Sequence, residues 1–184
     1  MKILEGWDDQ EDSSGLSYLS SYLLRIADFE ARQVGALECN PCHLFLAVLK
    51  AVDVDLATID FGLPLFQRDP ILISMLSENE RLRKVYALGK VDARLLRKSY
   101  REKIRISDDP TETDGKVLKC SDSTNDCIIK SKELSKASEV NSLHFLKIIL
   151  EENVSQRDEL IKELGISKTD LSNIVEFEIG SHLS

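Results

Sequence analysis

Apolar positions recur at three- and four-residue steps through most of the chain, the period of helices that bury one face. Leu19, Leu23, Ile26, Ala27, Glu30, Ala31 and Val34 form the first stripe, and Gly35 follows as a C-terminal cap. Asn40-Pro41 then supplies a capping side chain and a first-turn proline for a second helix over 42–51. The spacing turns His43, Leu44, Leu46, Ala47 and Leu49 inward. Residues 53–69 break the pattern. They hold Phe61-Gly62-Leu63-Pro64-Leu65-Phe66, too apolar for a solvated linker. Pro70 opens a short helical stretch over 71–76. A firmer helix follows from Glu78, on Leu82, Val85, Tyr86 and Leu88, with Gly89 at its end. Asp92 caps the next, on Ala93, Leu95, Leu96, Tyr100 and Ile104.

Residues 106–125 read as exposed linker, with Ser107-Asp108-Asp109-Pro110, Asp114-Gly115 and Ser121-Asp122-Ser123. Four shorter helices are predicted beyond it. The first covers 127–137 on Ile128, Ile129 and Leu134. The second, capped by Asn141 or Ser142, carries His144 and ends near 152. The third starts at Ser155, uses Leu160, Ile161 and Leu164, and stops at Gly165. The fourth is capped by Ser167 and runs through Leu171, Ile174, Val175 and Phe177.

The chain therefore states one pattern twice. His43-Leu44-Phe45-Leu46 is answered by His144-Phe145-Leu146, and Leu88-Gly89-Lys90-Val91-Asp92 by Leu164-Gly165-Ile166-Ser167. Internal repetition of this kind decides architecture before any single motif does. The expected fold is all-α, with two tandem four-helix repeats. The first covers 16–105 and is enlarged by an insertion at 53–77. The second covers 126–178. An acidic leader, 1–15, and a tail, 179–184, flank them.

Composition narrows the function. The 184 residues include 8 Gly and 4 Pro, too few for a many-turned β-protein. A net charge of −8 repels phosphate backbones, so nucleic acid is not expected as a partner. No apolar run approaches about 18 residues, which excludes a membrane-spanning helix. The acidic N-terminal stretch has no apolar core of the kind a secretory signal needs, so a cytoplasmic location is expected, with the four Cys as thiols.

Cys39-Asn40-Pro41-Cys42-His43 is the sharpest local string. Formally it matches covalent haem attachment, which needs an exported chain. A redox Cys pair at a helix N-terminus is geometrically allowed but belongs to a βαβ setting, and no strands are apparent. Zinc would need a second pair, and Cys120 and Cys127 are poorly spaced. The plainer reading makes Cys42 a small first-turn residue and Cys39 a loop thiol. His43 and His144 have no acid partner at a telling spacing and read as hydrogen-bonded framework, with Gly89 and Gly165 as the matching turn residues. No catalytic group, metal site or cofactor is expected.

The order of these motifs, from about Leu16 to Phe177, resembles the N-terminal domain of Clp-type AAA+ unfoldases. The resemblance implies a pseudo-two-fold, all-α domain that is not an enzyme. It implies a protein partner: a Clp ATPase or protease component, an adaptor, or an unfolded substrate. These 184 residues contain no Gly-x-x-x-x-Gly-Lys-Ser/Thr phosphate loop, so they do not supply the motor. Some family members carry Glu before each His and use it to recognise phosphorylated arginine. Cys42 and Leu143 stand there in this chain, so that activity is not carried over. The apolar segment at Phe61, Leu63, Leu65 and Phe66 is the expected partner-binding surface, with a loop packed over the core as the competing reading. The alternative function is a small thiol-redox or zinc-binding helical protein built on Cys39 and Cys42.

Overall fold

A computed structural model of the chain describes residues 15–60, 62, 64–110, 117–136 and 138–181. The leader before Gly15, Phe61, Leu63, residues 111–116 of the expected linker, Ala137 at the expected end of the 127–137 helix, and 182–184 lie outside these. Eight α-helices carry the described residues: α1 Tyr18–Gln33, α2 Pro41–Ala51, α3 Leu65–Leu88, α4 Ala93–Ile104, α5 Asp122–Ser135, α6 Ser142–Glu151, α7 Ser155–Glu163 and α8 Lys168–Gly180. A 3₁₀ turn, Leu56–Thr58, follows α2. The described residues hold no strand, only two isolated parallel bridges, Leu16 with Val140 and Cys39 with Cys120. The all-α expectation therefore holds.

Local chemistry sets the helix starts. Side-chain oxygens of Ser17, Asp92, Ser121 and Ser167 accept from the backbone N–H three residues on, at 2.9–3.3 Å. Each satisfies one of the N-terminal donors that a helix cannot pair internally. α2 and α6 lie at the centre. Every residue of α6 from Ser142 to Leu150 is buried, as are His43 to Leu49 of α2. A helix buried along nearly its whole length is an interior helix. α2 packs on α1, α4, α5 and α6, and α6 on α8, α5, α2, α1 and α3.

Three boundaries differ from the sequence reading. The short helix expected after Pro70 is the front of one long α3. Pro70 is tolerated at its sixth position because the bond it removes, to the Phe66 carbonyl, faces solvent in the exposed first turns. The helix expected from 127 begins at Asp122, inside the segment whose composition reads as linker. Ser121 caps it, and the bridge at Cys120 already fixes that segment. The third concerns the two Gly turns. Gly89 is in the right-handed region, and the left-handed position falls on Lys90, at φ 53°. In the second turn it falls on Gly165, at φ 71°. The matching positions are thus Lys90 and Gly165, one step out of the register that the glycines suggest.

The bonds of these two turns agree in that register. Gly89, Lys90 and Val91 donate to the carbonyls of Val85, Ala87 and Tyr86; Leu164, Gly165 and Ile166 donate to those of Leu160, Lys162 and Ile161. Both are Schellman endings. Lys90 adopts a conformation that costs a non-glycine residue about 1–2 kcal/mol. A Cβ on Gly89 would lie 2.9 Å from Leu171 Cδ1, so any constraint on Gly89 comes from packing and not from its φ.

Buried charge joins the helices. Glu30, on the core stripe of α1, has no exposed side chain and is held by Arg101 of α4 through Nε at 2.9 Å and Nη2 at 2.7 Å. Lys50 lies 3.6 Å away. Several basic residues in the middle of the chain also make ion pairs, at more exposed positions. Arg97 pairs with Asp53 at 3.3 Å, Lys84 with Glu178 at 2.7 Å and Lys103 with Glu163 at 3.1 Å. Arg81 donates to the Glu178 carbonyl at 2.7 Å.

Candidate functional site

The two histidines hold helix ends. His43 Nδ1 accepts from the Asn40 N–H at 3.0 Å, and His144 Nδ1 accepts from the Asn141 N–H at 3.0 Å. At α6 the exchange is reciprocal: Asn141 Oδ1 accepts from the N–H groups of Leu143 and His144 at 3.1 and 3.3 Å. This is a capping box with His in the place usually taken by Glu or Gln. The Ser142 N–H is taken by the buried carboxyl of Glu78, from α3. The other end of α6 is closed as well. Arg157 donates to the Ile149 and Glu152 carbonyls, and Lys168 Nζ reaches the Glu152 carbonyl at 3.1 Å. At α2, Asn79 Nδ2 donates to the Ala51 carbonyl at 3.1 Å, and Arg83 donates to Val52 at 2.9 Å.

Burial sets the protonation of these imidazoles. It lowers His43 to about 4, against a smaller opposing pull from Glu30. It lowers His144 to about 4, and Arg81 adds to the effect. Both rings are neutral at pH 7 with Nδ1 occupied as an acceptor. Both rings are buried.

Three of the four cysteines have raised thiol pKa values. The Cys39 thiol is pushed up by a hydrogen bond with Cys120 and by burial. Burial raises Cys42 to about 11 and Cys127 to about 12, the latter also through its 3.1 Å bond to Glu152. A redox nucleophile at a helix start would show the opposite shift. All four are free thiols, and no cluster among the described residues has the make-up of a metal site.

Open apolar surface collects on α3. Leu65 and Phe66 are 67% and 75% exposed, and Ile73 and Leu76 follow at 67% and 46%. Positions 66 and 73 are two turns apart and 76 is one further turn along, so they share the outer side of the helix. Ile71, Met75, Leu82 and Val85 face the core from the opposite side. A shallow open groove continues from Leu76 along Asn79, Glu80, Arg83, Lys84 and Ala87. In its lining, Asn79 Oδ1 is buried without a hydrogen-bond partner. Leu65 and Phe66 thus stand in the first turn of a helix, not in a loop. Ile73, Leu76 and the groove were not singled out by sequence, because splitting the helix at Pro70 hides that its two apolar faces belong to one element.

Comparisons with protein-family models, curated proteins and solved structures give no match to this chain. Among the described residues, no helix is long and apolar enough to cross a membrane.

Proposed function

We propose that this chain is a protein-interaction module that performs no chemistry, and that it docks on a component of a Clp-type chaperone or protease through the outer face of α3. The observation that carries this reading is the run of Leu65, Phe66, Ile73 and Leu76, open along one side of a helix and continuous with a groove. Exposed apolar surface of this extent on a single element is what a helix-in-groove or peptide-in-groove contact uses. The inward, neutral histidines and the raised thiols favour it over chemistry at either motif.

The same proposal takes the chain as two tandem four-helix units, α1–α4 and α5–α8, related by a pseudo-two-fold axis. Recurrent bonds support it. Ser17 N–H donates to Val140 O and Val140 N–H to Gly15 O; Ser121 N–H donates to Cys39 O and Cys39 N–H to Lys119 O. Exchanging the units maps each pair onto the other. The paired Schellman turns and the two His–Asn contacts follow the same exchange. On this reading the extra length of α3 over α7 is what makes the first unit individual.

Binding of the labelled chain to a Clp-type ATPase ring, followed by fluorescence anisotropy, tests the docking. A central aromatic contact contributes about 2 kcal/mol, so Phe66→Ser should weaken binding about 30-fold. Its melting temperature should not move, because Phe66 contributes nothing to the core. Equal affinity of the variant, or no binding by the wild type, contradicts the proposal.

A further inference from the structure

The parallel bridge ahead of α2 and α5 sets two thiols face to face. Cys39 N–H donates to the Lys119 carbonyl at 2.9 Å, and Ser121 N–H returns a bond to the Cys39 carbonyl at 3.0 Å. Cys39 and Cys120 are therefore the directly opposed residues of the bridge. Thr124 Oγ1 clamps the same Cys39 carbonyl at 2.7 Å. Neighbouring chains in such a ladder run about 4.8 Å apart, with opposed side chains on one face. A disulfide spans Cα atoms about 4.4–6.8 Å apart, so the backbone already sits within bonding range. The Cys120 thiol also acts on Cys39 electrostatically, raising its pKa as a close neighbour does. The pair that sequence spacing offers, Cys39 with Cys42, has no such bridge holding it.

We propose that Cys39 and Cys120 form a reversible intramolecular disulfide when the protein meets a peroxide. Cys120 is partly exposed and Cys39 is 2% exposed, so Cys120 is the point of entry. Its thiolate attacks one oxygen of hydrogen peroxide, the O–O bond breaks, and hydroxide leaves a sulfenic acid on Cys120. The Cys39 sulfur gives up its proton and attacks the sulfenyl sulfur. The S–S bond forms as the S–O bond breaks, and the departing oxygen takes the proton as water. Two thiols lose two hydrogens and two electrons, and one peroxide becomes two waters. A dithiol reductant reverses the step by exchange.

The bond would fasten a strap. Leu118 is buried against Ala31, Val34 and Ala36, and its N–H donates to Asp28 at 2.7 Å. Crosslinking Cys120 to the segment ahead of α2 closes a long loop around this contact, and long loops gain most from closure.

The test uses the whole chain. It is treated with excess hydrogen peroxide, blocked with iodoacetamide and digested for mass spectrometry. A Cys39–Cys120 peptide pair is expected, with Cys42 and Cys127 alkylated after denaturation. The melting temperature should rise by about 10 °C and return with dithiothreitol. Cys120→Ser should abolish both changes, and Cys42→Ser should leave both. A Cys39–Cys42 bond, a dimer linked through Cys120, or four alkylated thiols would each overturn the proposal.

Discussion

Taking the protein from pH 6.5 to pH 4 should remove several kcal/mol of folding stability, and His43→Gln with His144→Gln should remove most of that loss. Both imidazoles titrate near 6.5 when unfolded and near 4 when folded. Between those values the unfolded chain binds more protons than the native one. Stability is therefore complete above about 6.5 and is lost as pH falls through the folded value. A displacement of this size corresponds to about 3 kcal/mol for each ring. Burial is the main cause; a protonated Nδ1 also becomes a donor and can no longer accept from Asn40 or Asn141. Glu78 works in the other direction. Burial raises its pKa above the usual carboxylate range, so acid favours its folded form and offsets part of the loss. Urea titrations at both pH values check the result. Gln can keep the reciprocal cap without titrating, so a double variant that is as acid-sensitive as the wild type would show that the histidines are not responsible.

Arg157→Ala should cost about 3–5 kcal/mol, measured by urea denaturation at neutral pH. Arg157 is among the largest fully buried side chains. Its guanidinium donates to the Ile149 and Glu152 carbonyls and to Asp158 Oδ1, and it lies 5.9 Å from the centre of the Phe45 ring. Truncation leaves two carbonyls at the C-terminal end of a central helix without that donor, and leaves a cavity beside Phe45, which itself packs edge-on against Tyr100. Arg157→Lys should recover at most half of the loss, because an ammonium lacks the planar fork that serves both carbonyls at once. A loss below about 1 kcal/mol for the Ala variant would mean that water satisfies those groups.

Helix content and most boundaries were legible because they rest on local chemistry. Asp92, Asn141 and Ser167 announce their helices by capping, and the largely apolar runs at 44–49 and 145–150 mark the buried centre. What the sequence hid depends on distant partners. Arg157 looks like any surface arginine until α6 is seen to end beside it. Glu30 falls on an apolar stripe, and only Arg101, far along the chain, explains why it can stay there. Cys39 has a tempting neighbour at Cys42, yet its partner in space is Cys120. Pro70 reads as a break, but the turn that it weakens is exposed, so α3 runs through it. For the proposed site, Leu65 and Phe66 were visible as an apolar run. Ile73 and Leu76 became part of the same face only once the helix was whole.

Hydrogen–deuterium exchange of the chain, alone and bound to a Clp-type ring, addresses the central proposal most directly. New protection confined to residues 65–76 is the predicted result. Protection at other exposed apolar positions, such as Ile129 or Phe177, with none along 65–76, would contradict it, as would the absence of any complex.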